Sequence, residues 1–476
     1  MSKNIHNYIL TNFKLNAVTV IISTAALIFF ACSSLRHALF QSGAFDLGIF
    51  DQAIYLISIG EVPISSFTGF HILGDHAAWI LYPLALLYKI SANVHWLFAV
   101  QALSLALGAL PTWHLARVAG LSESTATTVA VIYLLYPLVF NLNLFDFHPE
   151  VIALPCLLGA ILAAQLNKIG WFCVAIALIL SCKAVLALTV AAMGIWLFFF
   201  EKKRACGIIA LFTGVAWFLI ATQIIIPFFG GEVAAISRHF PRYSYLGNSF
   251  PEMAKNILLH PWLVSRKIFS FATLEYLLLL TAPLILLLSP RAALIGAIPT
   301  LVLNILSENS TQRNLVQQYS LPILPFLLVT AIANLSQSSH FLFLVSKKIN
   351  LNYFIFFWSL IAFLILGKYG YFASNYLKSL DNWQATREAI AQITTKGGVL
   401  TTHEIAPHLS TRSLIKFTIA NSPINLAEFK YILLNLRHPG WLSTQEFAAD
   451  LVKQLKNTSL FELAYQRDDV YLFIRK

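Results

Sequence analysis

The stretch ACGIIALFTGVAWFLIATQIIIPFF, residues 205–229, contains no charged side chain along its whole length. A helix of this length can cross the hydrocarbon core of a bilayer, which is roughly 30 Å thick, because each helical residue rises about 1.5 Å. The chain as a whole has the same character, since 58% of its 476 residues are hydrophobic and only 11% are charged. We therefore predict an all-α polytopic membrane protein.

Apolar runs of this kind recur along most of the chain. They predict about eleven transmembrane helices, which we place at residues 15–33, 95–116, 125–142, 150–166, 170–182, 184–200, 206–229, 268–288, 291–306, 320–337 and 353–372. Together they form a transmembrane domain over residues 1–380. The two short segments that meet at Lys183 are the least regular part of this pattern.

The basic residues of the loops set the predicted orientation. Arg117, Lys168 and the cluster at 202–204 follow alternate segments, and cytoplasmic loops are enriched in Lys and Arg. The N-terminus is then cytoplasmic and the C-terminus outside, as expected for a multi-pass protein of a bacterial plasma membrane. The long first outer loop, 34–93, has apolar stretches of its own and should form helices at the membrane interface.

The composition of the chain changes at residue 381, where charged residues begin to alternate with apolar ones. Residues 383–393 have helical periodicity, and the runs 399–401, 431–435 and 470–474 are typical of strands. Residues 381–476 therefore predict a small extracytoplasmic α/β domain. We expect its polar residues His403, His408 and Arg412 to lie on its surface.

The net charge of +11 does not indicate nucleic acid, because the basic residues are scattered at the ends of apolar segments rather than gathered in one stripe. The expected partner of this charge is the lipid bilayer. Five cysteines lie in or beside apolar runs without paired spacing, so neither a disulfide framework nor a structural zinc site is expected.

Two carboxylates stand in the apolar first loop, Asp46 and Asp51. They are five residues apart, so in a helix they would point about 140° away from each other. One of them is a candidate catalytic acid or base, and the other a structural residue. The alternative is that Asp46 caps an interfacial helix and Asp51 faces water.

A second polar group lies where the third segment ends and the fourth begins. Asp146, His148 and Glu150 flank Pro149 there, and with His76 of the first loop they can bind substrate, hold a divalent cation such as Mg²⁺ or Mn²⁺, or transfer protons. No defined metal motif is present in their spacing. The alternative is capping of the helix that follows Pro149.

Cations and polar aromatic residues of the later loops are candidates for substrate binding. A lysine in an apolar run needs an anion, so Lys183 should meet an outer-loop acid or a ligand phosphate. Arginines can grip phosphate with two hydrogen bonds, whereas amides and hydroxyls suit sugar hydroxyl groups. The candidates are Lys183, Arg238, Arg242, Tyr245, Gln318 and Tyr319. The alternatives are a loop at the lipid headgroups and an ordinary wet interhelical loop.

The order of these motifs resembles the DUF2079 family of predicted membrane proteins, which in turn resembles the GT-C superfamily of polyprenyl-phosphate-sugar-dependent glycosyltransferases. The resemblance rests on FDLGIFDQ at 45–52, GDH at 74–76, NLFDFHPE at 143–150, RYSYLGNS at 242–249 and QQYSLPILP at 317–325. It implies a GT-C-like helical fold. It also implies that an acid of the first outer loop acts as base or positions the acceptor, which assigns Asp46 first and Asp51 second.

The resemblance further implies that basic residues hold the phosphate of a polyprenyl-phosphate sugar. One departure is that the lysine matching Lys183 is followed in the family by acids, whereas this chain has Ala184 and Val185. The leading hypothesis is a membrane glycosyltransferase that acts at the outer face. The alternatives are a transporter or lipid-linked flippase, and a non-catalytic membrane scaffold.

Overall fold

The computed structural model describes residues 17–237, 240–337 and 349–476. The α-helices up to the first gap are Ala17–Ala38, Ile49–Ser58, Leu73–His76, Leu81–Ile90, His95–Leu107, Ala109–Val118, Glu123–Leu134, Pro137–Asn143, Glu150–Gln165, Ile169–Cys182, Leu186–Phe199, Arg204–Ile220 and Ile226–Ser237. Those beyond it are Phe250–Leu259, Pro261–Ile268, Phe271–Thr281, Ile298–Leu306, Leu324–Ser336, Leu351–Leu366, Trp383–Ala391 and Gln445–Asn457. The chain is thus mostly helical, as predicted.

Each of the eleven predicted segments contains a helix, but the helices differ in length. Within the described ranges, four are long and apolar enough to cross a membrane, namely Ala17–Ala38, His95–Val118, Arg204–Gly231 and Gln318–Ser336. Three bent helix pairs raise the number to seven if each pair is one span. The other four segments are shorter helices, so eleven crossings are not confirmed.

The helices Leu186–Phe199 and Arg204–Ile220 show how the membrane part packs. A Cβ added at Gly194 would lie 2.5 Å from the backbone nitrogen of Leu211, and one added at Gly214 would lie 2.7 Å from the carbonyl oxygen of Ala187. Two glycines therefore let these helices approach backbone to backbone. Close packing of small residues is a usual source of helix association in lipid, where apolar side chains gain little from burial.

Contacts between loops agree with the sorting of the loops into two sides. The Lys203 Nζ donates to the carbonyl oxygen of Gln165 at 3.0 Å and to Asn167 Oδ1 at 2.9 Å, which joins two loops that were predicted to be cytoplasmic. Asn352 Nδ2 likewise donates to Ser124 Oγ at 3.1 Å, which joins two further loops that fall on the same predicted side. Which of the two sides faces the cytoplasm stays a prediction.

The predicted C-terminal sheet is present. Its strands are β1 Val399–Thr401, β2 Ile415–Phe417, β3 Tyr431–Asn435, β4 Phe461–Arg467 and β5 Val470–Arg475, in the order β2-β1-β3-β5-β4. Strand β1 pairs in parallel with β2 and β3, whereas β3–β5 and β4–β5 are antiparallel. Two strands were not predicted from the sequence, namely β2, which has three residues, and β4, whose side chains are mostly exposed.

Both faces of this sheet are covered, as the alternation of its buried side chains requires. Leu400, Ile432 and Phe473 pack with Leu451 of the helix Gln445–Asn457. On the other face, Val399, Leu433 and Leu472 pack with the helix Trp383–Ala391 and with two residues of the membrane part, Phe40 and Ala44. The two domains therefore share one hydrophobic core. It fixes residues 381–476, called the soluble domain after the prediction made for it, against the loop that follows the helix Ala17–Ala38.

Candidate functional site

Asp46 lies in a short π-helical turn, Ala44–Gly48, directly beneath the soluble domain. Its carboxyl group is about one-third exposed, and its Oδ1 is 3.5 Å from the Nε2 of His148. Burial raises the pKa of Asp46, and positive charge on His148 opposes that rise. The turn has no side-chain cap, so the expectation that Asp46 could act as a helix cap is wrong.

His148 is held in one orientation by its surroundings. Its Nδ1 is 2.9 Å from the carbonyl oxygen of Asp146, and its ring stacks on Phe145 with centroids 5.3 Å apart. A carbonyl oxygen can only accept, so Nδ1 carries a proton and Nε2 faces Asp46. The Nε2 atom is 3.5 Å from Asp46 Oδ1, and each of the two groups can bind a proton. This pair can therefore hold or pass on a proton.

Asp146 lies next to this pair, and both of its carboxylate oxygens are hydrogen-bonded to other groups. Its Oδ1 accepts from Arg36 at 2.6 Å, and its Oδ2 accepts from the backbone nitrogen of Gly43 at 2.7 Å. The side chain is almost fully buried. Asp146 thus ties the end of the first helix to the loop that carries His148. No local sequence pattern indicated Arg36 and Gly43 as its partners.

Glu150, two residues after His148, forms a buried ion pair with Lys183. Lys183 Nζ lies 2.6 Å from Glu150 Oε1, which confirms the expectation that Lys183 meets an acid. Glu150 begins its helix after Pro149, which has no capping side chain, and its Oε2 is buried without a hydrogen-bond partner. Lys183 itself is in an extended conformation between two helices.

An aromatic ring connects this ion pair to the loop that carries Arg242. Tyr319 has Lys183 Nζ 6.0 Å and Arg242 Cζ 5.5 Å from its ring centroid, so two cations flank one ring. Among the side chains that the structure describes, Arg242 has no carboxylate partner. Gln318 is buried beside Tyr319, and its Oε1 has no hydrogen-bond partner.

The remaining substrate-binding candidates differ in position. Tyr245 donates to the carbonyl oxygen of Leu306 at 2.9 Å and lies under Lys267, so its hydroxyl group anchors the loop. His76 Nε2 lies 3.5 Å from Asp75 Oδ2, and its carbonyl oxygen accepts from Ala184 at 2.9 Å. This contact places His76 next to the Lys183 segment. Arg238 lies outside the described residues.

Asp51 has different surroundings from Asp46. It is 1% exposed, and it accepts hydrogen bonds from Tyr88 and, at 2.5 Å, from Ser410 of the soluble domain. Burial raises the pKa of Asp51 to about 6. The expectation that Asp51 faces water is therefore wrong, because the docked domain covers it.

The divalent cation that the acids of this region suggested has no matching ligand set. In the described part of the chain, no group of three or more His, Cys, Asp or Glu side chains is placed to hold a metal ion. Asp146 and Glu150 are each neutralised by a basic side chain, which leaves His148 without two free carboxylates beside it. We therefore derive no step through a metal.

The soluble domain contributes residues that were expected on its surface. His403 is 9% exposed and Arg412 is 4% exposed, and His408 stacks on His37 with ring centroids 3.8 Å apart. A Cβ on Gly43 would meet His403 Cε1 at 2.8 Å, so His403 lies against the loop that carries Asp46. The surface expectation is wrong for His403 and Arg412, which are buried, whereas His408 is half-buried against His37. Hydropathy gave no signal of this docking.

Fold and site together define the class: a polytopic helical membrane protein whose polar residues converge beneath a small docked α/β domain. The chain belongs to the DUF2079 family of predicted membrane proteins, which matches it over residues 36–472. No curated protein matches the chain by sequence.

Solved structures resemble the chain at the level of the fold. ArnT from Cupriavidus metallidurans in the apo state is 12% identical with a TM-score of 0.55, over 96% of this chain and 97% of that chain. ArnT bound to undecaprenyl phosphate is 13% identical with a TM-score of 0.53 over the same shares, 96% and 97%. The Archaeoglobus fulgidus oligosaccharyltransferase has a TM-score of 0.44 at 11% identity, over 89% of this chain and 70% of that chain. The expected resemblance to DUF2079 and to the GT-C fold is confirmed.

Proposed function

We propose that this protein is a membrane glycosyltransferase. It moves a sugar from a polyprenyl-phosphate carrier to an acceptor at the outer face of a bacterial plasma membrane. The observation that carries the proposal is one connected set of polar residues, in which the segment 148–150 joins the Asp46–His148 pair to Lys183, Tyr319 and Arg242. The fold likeness to ArnT, solved with undecaprenyl phosphate, supports a lipid-phosphate carrier.

The two halves of this connected set suit the two partners of a sugar transfer. A hydroxyl oxygen of the acceptor forms the new bond to the anomeric carbon, and the bond from that carbon to the phosphate oxygen breaks. The hydroxyl proton passes to the Asp46–His148 pair, with Asp46 as the partly exposed member that reaches the acceptor. The departing phosphate gains negative charge, which Arg242 and Lys183 stabilise.

Arg242 and Lys183 have different parts in this scheme. Lys183 is already paired with Glu150, whereas Arg242 has no described carboxylate partner and keeps its hydrogen-bond donors for a ligand. Arg242 is therefore the main phosphate-binding residue, and Lys183 sets the local positive field. Gln318, with a free carbonyl oxygen, and His76 line the same region and contact the sugar.

The first test measures binding of the carrier. Full-length protein in detergent should bind undecaprenyl phosphate, as followed by native mass spectrometry. Arg242→Gln should weaken this binding by about 10- to 100-fold, the range expected for a lost charged hydrogen bond. Lys453→Gln, at an exposed position of the soluble domain, is the matched control. Equal affinity of the Arg242→Gln and wild-type proteins would remove Arg242 from the phosphate site.

The second test measures transfer. Protein supplied with polyprenyl-phosphate sugars carrying a radioactive label, together with membranes of its own source as acceptor, should transfer the label. Asp46→Asn should reduce the rate by about 10²- to 10⁴-fold with carrier binding unchanged, because only the proton acceptor is lost. Asp450→Asn is the control, and an unchanged rate in Asp46→Asn would refute the catalytic assignment.

A further inference from the structure

A cavity of about 350 Å³ lies between the two domains, at one edge of the soluble sheet. Its walls include Gln41 from the membrane part and, from the soluble domain, Asn382, Thr402, Glu404, Asn435 and Trp441. The volume is within the roughly 300–1,000 Å³ of small-molecule sites. The site residues discussed above, Asp46 and His148, are not among its walls.

The cavity occupies a particular place in the sheet topology. Thr402 and Glu404 follow the carboxyl end of β1, and Asn435 and Trp441 stand at and after the carboxyl end of β3. The chain leaves β1 toward β2 on one side, whereas it leaves β3 toward β4 and β5 on the other. The crevice between β1 and β3 is therefore a switch point, where open α/β sheets bind ligands.

Two buried oxygens of the wall have no partner in the protein. The side chain of Thr402 is 2% exposed, and its Oγ1 makes no hydrogen bond, nor does Glu404 Oε2. Leaving a buried hydroxyl group unpaired costs stability. An occupant with hydroxyl groups would satisfy both oxygens.

The charged groups of the wall select the kind of occupant. Arg437 is paired with Asp469 at 2.7 Å, and His438 with Asp381 at 2.8 Å, so neither is kept for an anion. Asn382 and Asn435 are hydrogen-bonded to each other at 2.8 and 3.2 Å, so the wall groups left for an occupant are the Thr402 hydroxyl group and Glu404 Oε2, together with the exposed Trp441 ring. Hydroxyl and amino groups fit the polar walls, and the C–H face of a sugar ring fits an indole.

We propose that this cavity binds a neutral or amino sugar. The Trp441 ring also lies 6.2 Å from the ring of Phe45, the residue before Asp46, so a sugar bound here is adjacent to the Asp46 turn. The sugar is the recognition unit of the acceptor glycan, and this assignment, unlike the binding itself, rests on the proposed function.

The test measures sugar binding directly. Glucose, mannose, N-acetylglucosamine and glucosamine are added at millimolar concentration to the full-length protein, and the melting temperature and Kd are recorded. At least one sugar should raise the melting temperature. Thr402→Val should keep or raise the melting temperature without sugar, because a methyl group replaces an unpaired hydroxyl group, yet weaken binding at least tenfold.

Trp441→Ala should also weaken binding at least tenfold, whereas Trp171→Ala, at an exposed tryptophan far along the chain, should not. Binding of none of the four sugars overturns the proposal, as does unchanged binding in Thr402→Val. Loss in Trp441→Ala alone also overturns it, because the sugar would then stack outside the cavity. Sugar binding without any transfer by the wild-type protein would instead remove the proposed function and leave the cavity assignment intact.

Discussion

Asp46 and Asp51 are five positions apart, yet they have opposite surroundings. Asp46 is partly exposed beside His148, whereas Asp51 is sealed between Tyr88 and Ser410. The sequence raised both as candidates, because a carboxylate in an apolar stretch needs a reason. Only their partners, one of them in another domain, distinguish the residue proposed to take up a proton from a residue that holds the domains together.

The Glu150–Lys183 pair gives a stability prediction at the residue scale. Lys183→Met leaves a buried carboxylate without a counter-charge, and we expect the free energy of unfolding to fall by about 3–5 kcal/mol. Glu150→Gln with Lys183→Met removes both charges and should cost less than the sum of the single changes. Urea or SDS unfolding of the four proteins checks this, and additive losses would show that the pair is not coupled.

Short elements of the loop after the first helix position the site. The helices expected in this loop are present, and their place at the membrane interface stays a prediction. The four-residue helix Leu73–His76 packs on the helix Ile226–Ser237, and its C-terminal end brings His76 to the Lys183 segment. A Cβ at Gly74 would lie 2.4 Å from the backbone of Gly230. This contact explains why a glycine is needed in the GDH motif.

Gly74→Ala therefore tests the packing of these elements. We expect a loss of about 1–3 kcal/mol, because backbone atoms cannot move aside as a flexible side chain can. Gly159→Ala is the matched control, since its Cβ would meet nothing within 4 Å in a regular helix, and it should be neutral or stabilising. Similar melting temperatures for Gly74→Ala and wild type would mean that the two elements separate easily.

At the scale of the whole molecule, the soluble domain is docked through polar contacts as well as a shared core. Ser66 Oγ donates to the carbonyl oxygen of Ile415 at 2.6 Å, and Trp383 Nε1 donates to that of Ala38 at 2.7 Å. His408 adds a ring stacked on His37. Burial lowers the pKa of His408 to about 3.

This shift makes docking sensitive to acid. The folded protein keeps His408 neutral, whereas the unfolded chain binds a proton near pH 6.5, so stability present above pH 6.5 is lost progressively toward pH 3. Between pH 6.5 and 4.5 the expected loss is about 2–3 kcal/mol. Asp51 acts in the opposite direction, since its raised pKa, about 6, stabilises the folded state as pH falls from 6 toward 4.

The test therefore compares the melting temperatures of wild type and His408→Gln, because both proteins contain Asp51 and its contribution cancels. The melting temperature of wild type should fall more steeply than that of His408→Gln as the pH is lowered from 6.5 to 4.5, because the variant has no titrating ring at this position. Parallel curves would show that His408 is not protected from protonation at the domain interface.

The sequence by itself determined the membrane class, the positions of the apolar helices and the α/β character of the C-terminal domain, because hydropathy and side-chain period are local properties. It also pointed to polar residues that are costly in an apolar chain, such as Asp46, His148 and Lys183. Only the tertiary structure decided their partners. Asp46 meets His148, Arg36 meets Asp146, and Ser410 meets Asp51, all across about a hundred residues or more. Such contacts depend on how helices and domains pack, which no local pattern encodes.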